Sequence, residues 1–155
     1  MSHEITLQSR LPSALRAQVE ALLFFNSAQH RMRDAIEASI ERYGLPEIID
    51  ENGWLHLRVA GLEQVQTLFA VRKNIAGERA VGAVAYIRES VERITVVHVS
   101  VADEYSAQGR YAHERVLPQL LYKIRDVAKR TTGIRHVDLA YRRNRSPATE
   151  QALAI

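Results

Sequence analysis

Three apolar runs separated by two short polar turns occupy the middle of this chain, and they restrict its fold more than any other feature. QTLFAVR (66–72), VGAVAYIR (81–88) and ITVVHVSV (94–101) are rich in residues that suit a pleated surface. KNIAGE and RESVER lie between them and read as hairpin connections. The pattern predicts an antiparallel meander. The third run empties into a polar loop, ADEYSAQGRY, and a long amphipathic segment follows. Its apolar residues, Val116, Leu117, Leu120, Leu121, Ile124, Val127 and Ala128, recur at helical spacing, which predicts a helix over about 110–131. Pro118 should kink that helix or mark its first turn, and Gly133 suits its C-terminal cap. IRHVDLAY (134–141) then closes as a strand. A strand–helix–strand unit of this length is a right-handed crossover between parallel strands. The expectation is one α/β (α+β) domain over residues 1–155, with a mixed, mostly antiparallel sheet flanked by helices.

Upstream, EITLQ (4–8) alternates weakly and is a further strand candidate. Leu15, Val19 and Leu22 predict a helix over about 13–24. Ser27 suits the N-cap of a second helix with the stripe Met32, Ile36, Ile40 and Tyr43. Gly44 stands where a helix end takes a left-handed residue. Pro46 and the acidic Asp50-Glu51-Asn52-Gly53 read as a loop. After it, Leu55, Leu57 and Val59 face one way and His56 and Arg58 the other.

Composition narrows the chemistry. There is no cysteine, so disulfides, thiolate nucleophiles and Cys-ligated zinc are excluded. The six histidines (His3, His30, His56, His98, His113, His136) show no metal-ligand spacing, and no metal is expected. No serine occupies a Gly-x-Ser-x-Gly elbow, which argues against a hydrolase. No apolar run approaches the length of a membrane span, and the N-terminus lacks the pattern of a secretory signal, so the expected location is the cytoplasm. From Arg110 to Arg145 there are ten Lys/Arg against three acids, a balance that suits an anionic partner. The run Arg142-Arg143-Asn144-Arg145 has no nucleic-acid-binding motif around it, and nucleic acid is not the expected partner.

The loop before the long helix carries the functional reading. A helix N-terminus presents unpaired N–H groups and partial positive charge, and a glycine nearby lets backbone approach an anion. Arg110 and Arg115 add full charges. The competing reading is that Gly109 merely serves a turn. The order of elements and the segment VADEYSAQGRY (101–111) resemble the GNAT superfamily of acyl-CoA N-acyltransferases. Val101, Glu104, Tyr105 and Gly109 match that family's pattern, while Ser106 and Tyr111 depart from it. The resemblance covers most of the chain and is strongest from Ala80 to Tyr141.

What the resemblance implies is acetyl-CoA or another acyl-CoA as cosubstrate and an amine, on a small molecule or a protein, as acceptor. The N–H groups of Ser106, Ala107, Gln108, Gly109, Arg110, Tyr111 and Ala112 would hold the pyrophosphate. Backbone groups of the preceding strand, around Val99 to Val101, would bond the pantetheine arm. The carboxylate that some members place on that strand falls at Thr95, and the tyrosine that many use as acid falls near Ala152. The family's final helix and hairpin have no counterpart before Ile155, and an uncovered sheet edge favours pairing with a second copy. His98 is a candidate base, because its ordinary pKa suits that role and a strand bulge can re-aim a side chain. Tyr86, Tyr105, Tyr122 and Tyr141 are candidate proton donors. Trp54 is read as core or rim. The alternative to an enzyme is a degenerate relative that serves as a binding or assembly module.

Overall fold

The computed structural model describes residues 4–24 and 33–140. Strand β1 (Glu4–Gln8) is followed by the short β2 (Leu11–Pro12), a 3-10 turn (Ser13–Leu15) and helix α1 (Arg16–Phe24). Helix α2 (Arg33–Tyr43) comes next. Ser27 and Met32 lie outside the described residues. Gly44 ends α2 as expected. It has φ of 106° and donates its N–H to the Ile40 carbonyl at 2.8 Å. A Cβ at this position would also overlap the Ala60 carbonyl.

The stretch read as a loop is instead a strand. β3 (Pro46–Glu51) pairs antiparallel with β4 (Trp54–Val59). Asn52 and Gly53, both at positive φ (54° and 87°), form the two-residue turn that such hairpins favour. Proline and three acids argued against a strand here. They are tolerated because β3 is the edge of its sheet and Pro46 is its first residue. β2, β4 and β3 form a three-stranded sheet of their own, so β4 is no part of the meander. The expectation of one sheet is corrected to two. Thr67 joins them by accepting the Leu57 N–H at 2.9 Å.

The meander forms the larger sheet: β5 (Gln66–Asn74), β6 (Gly77–Ser90) and β7 (Arg93–Val101). β8 (His136–Leu139) adds parallel to β7, and β1 adds antiparallel to β5, giving the order β1-β5-β6-β7-β8. Helix α3 (Val116–Arg130) provides the crossover. The mixed, mostly antiparallel sheet is therefore present. The helix begins six residues later than its periodicity suggested. Residues 112–114 form a 3-10 turn, and Arg115 adopts a left-handed conformation with φ of 53°. Pro118 then falls in the first turn of α3, where a missing N–H costs nothing. The helix ends at Thr131, which caps it through Ala128, and Gly133 serves the following turn.

The core lies on both faces of the meander. Phe69, Val71, Val81, Val84, Val96, Leu120 and Ile124 are fully buried. Each such side chain contributes about 1.5–3 kcal/mol relative to exposure. Gly82 sets how closely α3 approaches the sheet, since a Cβ there would sit 2.9 Å from both Leu120 and Val116.

Candidate functional site

Strand register decides what β7 presents. Gly82 faces α3 and pairs with Val101, and Val84 pairs with Val99, so Val99 and Val101 share the α3 face. Ala85 pairs with His98 and Tyr86 with Val96, which leaves Val97 as an extra, bulged residue. The bulge does not turn His98 toward Val99. His98 stays on the opposite face, 3 % exposed, with Ser100 Oγ 3.3 Å from its Nε2. Burial pushes its pKa down to about 4, so it is a neutral imidazole throughout the physiological range. Its sealed position, on the face away from Val99 and Val101, suits a packed histidine better than a base exchanging protons with substrate. Ser39 of α2, which no sequence signal singled out, donates its hydroxyl to the bulged Val97 carbonyl at 2.7 Å.

Among the described residues the parallel ladder between β7 and β8 runs from Arg93 to Val96, followed by the Ala140 N–H on the Val96 carbonyl at 2.9 Å. β7 continues to Val101. There the Ala102 N–H bonds the Val81 carbonyl (2.9 Å) and the chain enters the loop.

That loop brings Ser106 to Ala112 together as a compact coil. A 3-10 turn spans Asp103–Tyr105, and the Ser106 hydroxyl donates to the Asp103 carbonyl at 2.7 Å. The Gly109 N–H bonds the Ser106 carbonyl (2.9 Å), and the Tyr111 N–H returns to the Glu104 carbonyl (2.7 Å). Gly109 thus lies directly over the preceding turn. A Cβ there would overlap the Asp103 and Glu104 carbonyls. The residue must be glycine because the loop doubles back on itself, which is the turn explanation. Among the described residues, no backbone carbonyl accepts the N–H of Ala107, Gln108 or Arg110.

Tyr111 stacks on the buried Tyr105 with ring centres 5.1 Å apart, and the Arg110 guanidinium lies 4.8 Å from the Tyr111 ring centre. Glu104 is bound by Arg79 at 3.0 Å. The hydrogen bond from Arg79, assisted by the charges of Arg79 and Arg110, holds the Glu104 carboxyl below the ordinary range despite partial burial. The acid beside the loop is therefore ionised and already paired.

At the other end of β7 is a carboxylate that sequence reasoning missed. The register between β6 and β7 skips Glu89, which is bulged out between the Arg88–Ile94 and Ser90–Arg93 pairs. Its carboxylate accepts a hydrogen bond from Thr95 Oγ1, the position where the resemblance led one to look for an acid. Tyr43 Oη (3.1 Å) and Arg42 (3.3 Å) bind the same group. Burial pushes the Glu89 pKa up, but the hydrogen bonds from Thr95 and Tyr43 and the charges of Arg42 and Arg93 outweigh it, and the net direction is down. Arg93 in turn pairs with Asp138 of β8. The only early signal was a glutamate beside a hairpin turn, which is commonplace.

Of the tyrosines, Tyr86 borders the Val97 bulge on the α3 face, and burial raises its pKa. Tyr105 is locked in the stack and meets Arg72 at 3.4 Å. Tyr122 is 71 % exposed on the outside of α3. Trp54 lies at the rim beneath Arg10, 4.3 Å from its ring centre. Tyr141, Ala152 and the Arg142–Arg145 run lie outside the described residues. Among the described residues no group of His, Asp and Glu converges as metal ligands, and no helix is long and apolar enough to cross a membrane. The chain matches no family model, no curated protein and no solved structure.

Proposed function

We propose that this protein is an acyl-CoA-dependent N-acyltransferase, with acetyl-CoA as the simplest donor and a primary amine as acceptor. The observation that carries the reading is the path of β7. It pairs with β8 over Arg93 to Val96, bulges at Val97 and runs on into a coil of backbone N–H groups ahead of α3. The residues suit a phosphate group in kind. Three N–H donors, those of Ala107, Gln108 and Arg110, and one guanidinium are at hand, and the nearby Glu104 charge is balanced by Arg79.

When bound, the cosubstrate supplies an activated thioester carbonyl. Transfer forms the amide C–N bond and breaks the thioester C–S bond, with one proton leaving the amine and one returning to the thiolate. In this reading the loop from Ser106 to Ala112 holds the phosphates, and Val99 and Val101 line the path of the arm. Glu89, kept ionised by its partners, receives the one proton that the neutral amine loses as it attacks. Tyr86 lies on the α3 face, across the sheet from Thr95 and Glu89, so the thiolate takes its proton from solvent. His98 is left out of the chemistry.

One observation favours a second reading, a binding or assembly module without turnover. Gly109 and Tyr111 are both committed to contacts within the loop. Calorimetry with millimolar acetyl-CoA separates the two. The acyltransferase reading requires saturable heat that Arg110→Ala weakens about tenfold, the scale of one lost charge-assisted contact. Absence of any heat removes it.

A further inference from the structure

From the outer edge of β1 we infer that the protein forms a two-fold homodimer by pairing β1 with β1 of a second copy. β1 is an edge strand, bonded to β5 on one side only. Among the described residues no strand closes its other side, and an open row of N–H and C=O groups is a template for another strand. Leu7 pairs with Ala70, which faces α3, so Ile5 and Leu7 present their side chains on that face. The helix does not cover them fully. A cleft of about 590 Å³ remains between Leu7 and the α3 residues Pro118 and Tyr122. An apolar wall with a largely exposed aromatic ring beside an open strand edge is a surface that a packed layer would complete.

The chemistry of β1 selects its own copy as the occupant. Antiparallel pairing about a two-fold axis through Thr6 sets Glu4 against Gln8, Ile5 against Leu7, and Thr6 against itself. No like charges meet, and both apolar pairs fall on the α3 face above the cleft. The cleft wall carries Glu114 and Asp126 against Arg115 and Lys123, so two such walls can approach without net repulsion. The edge strand of the smaller sheet fails the same test. Self-pairing of β3 about Ile49 would set Glu47 against Glu51, two acids in direct opposition, and about Ile48 it would set Pro46, which lacks an N–H, inside the ladder. The β1 pairing joins two five-stranded sheets into one continuous sheet.

Sedimentation equilibrium of the full chain across low to several hundred micromolar tests this. The expected result is a reversible dimer. Thr6→Lys and Thr6→Glu each place like charges on the two-fold axis and should weaken it about tenfold or more. An equimolar mixture of the two variants should restore it, which a folding defect would not do. Tyr122→Asp, at an exposed position that leaves the core intact, should also weaken the dimer. Val91→Asp, at the exposed tip of the β6–β7 hairpin, should not. A chain that stays monomeric throughout overturns the inference, as does a dimer indifferent to Thr6 and Tyr122. So does a monomer whose melting temperature falls with Tyr122→Ala, because the cleft is then filled from within its own chain.

Discussion

Replacing Glu89 by alanine removes the acceptor for three donors at once, and the cost can be worked out donor by donor. Thr95 is 2 % exposed, so its hydroxyl is left unpartnered in the interior, at about 1–3 kcal/mol. The contact from Arg42, whose side chain is 67 % exposed, contributes at most about 1 kcal/mol after screening. With the Tyr43 bond included, the loss is about 2–4 kcal/mol, or roughly 5–12 °C in Tm for a chain of this size. Glu89→Gln keeps an acceptor for Thr95 and should cost about 1 kcal/mol. The pH dependence has a definite sign. The folded pKa of Glu89 lies below its ordinary value of 4.5, so its contribution is complete above that value and is lost as pH falls through the folded pKa. Urea unfolding of the native chain and Glu89→Gln, at pH 7 and then in steps below pH 4.5, should show the gap between them closing. If Glu89→Ala costs under about 0.5 kcal/mol, or the gap is constant with pH, the ionised Glu89 carboxylate does not stabilise the fold through Thr95, Tyr43 and Arg42. In the acyltransferase reading Glu89→Gln also lowers kcat while leaving donor affinity unchanged.

Other perturbations probe other parts of the molecule. His98 is neutral in the fold down to about pH 4 but titrates near 6.5 when unfolded, so the unfolded chain binds the extra proton between those values. Stability should therefore fall as pH drops through that window, by up to about 1.4 kcal/mol per pH unit from this one group, and His98→Gln should flatten the slope in urea titrations. Gly82→Ala pushes α3 off the sheet and should cost about 1–3 kcal/mol, relieved in part by Val116→Ala in a double-mutant cycle. Simple additivity would contradict the contact. Gly109→Ala should open the loop locally, raising amide exchange over residues 103–112 while the β6 and β7 amides keep their protection. Equal loss of protection across the sheet would show that the loop's tight return supports the whole fold instead.

Elements whose signal is periodic could be read from the residues alone. The three strands of the meander, the apolar face of α3 and the alternation of Leu55, Leu57 and Val59 were legible because a core-facing side must repeat with the period of its backbone. Gly44 was legible because few residues tolerate its backbone angles and none other lacks a Cβ. The order strand, loop, helix, parallel strand was legible for the same reasons, and with it the place of the Gly109 loop. Features that depend on a partner distant in the chain emerge with the packed fold. β3 is a strand because β4 pairs with it, despite a composition that favours a turn. The start of α3 is delayed to Val116 by the coil of 103–115, which packs against itself. The bulges at Glu89 and Val97 are properties of register between strands, not of either strand alone. They hold His98 on the sealed face, give the Val97 carbonyl to Ser39 and carry the Glu89 carboxylate to Thr95. Local periodicity records which side of an element is buried. It does not record which neighbour lies across from it, and in this protein the candidate chemistry is set by those neighbours.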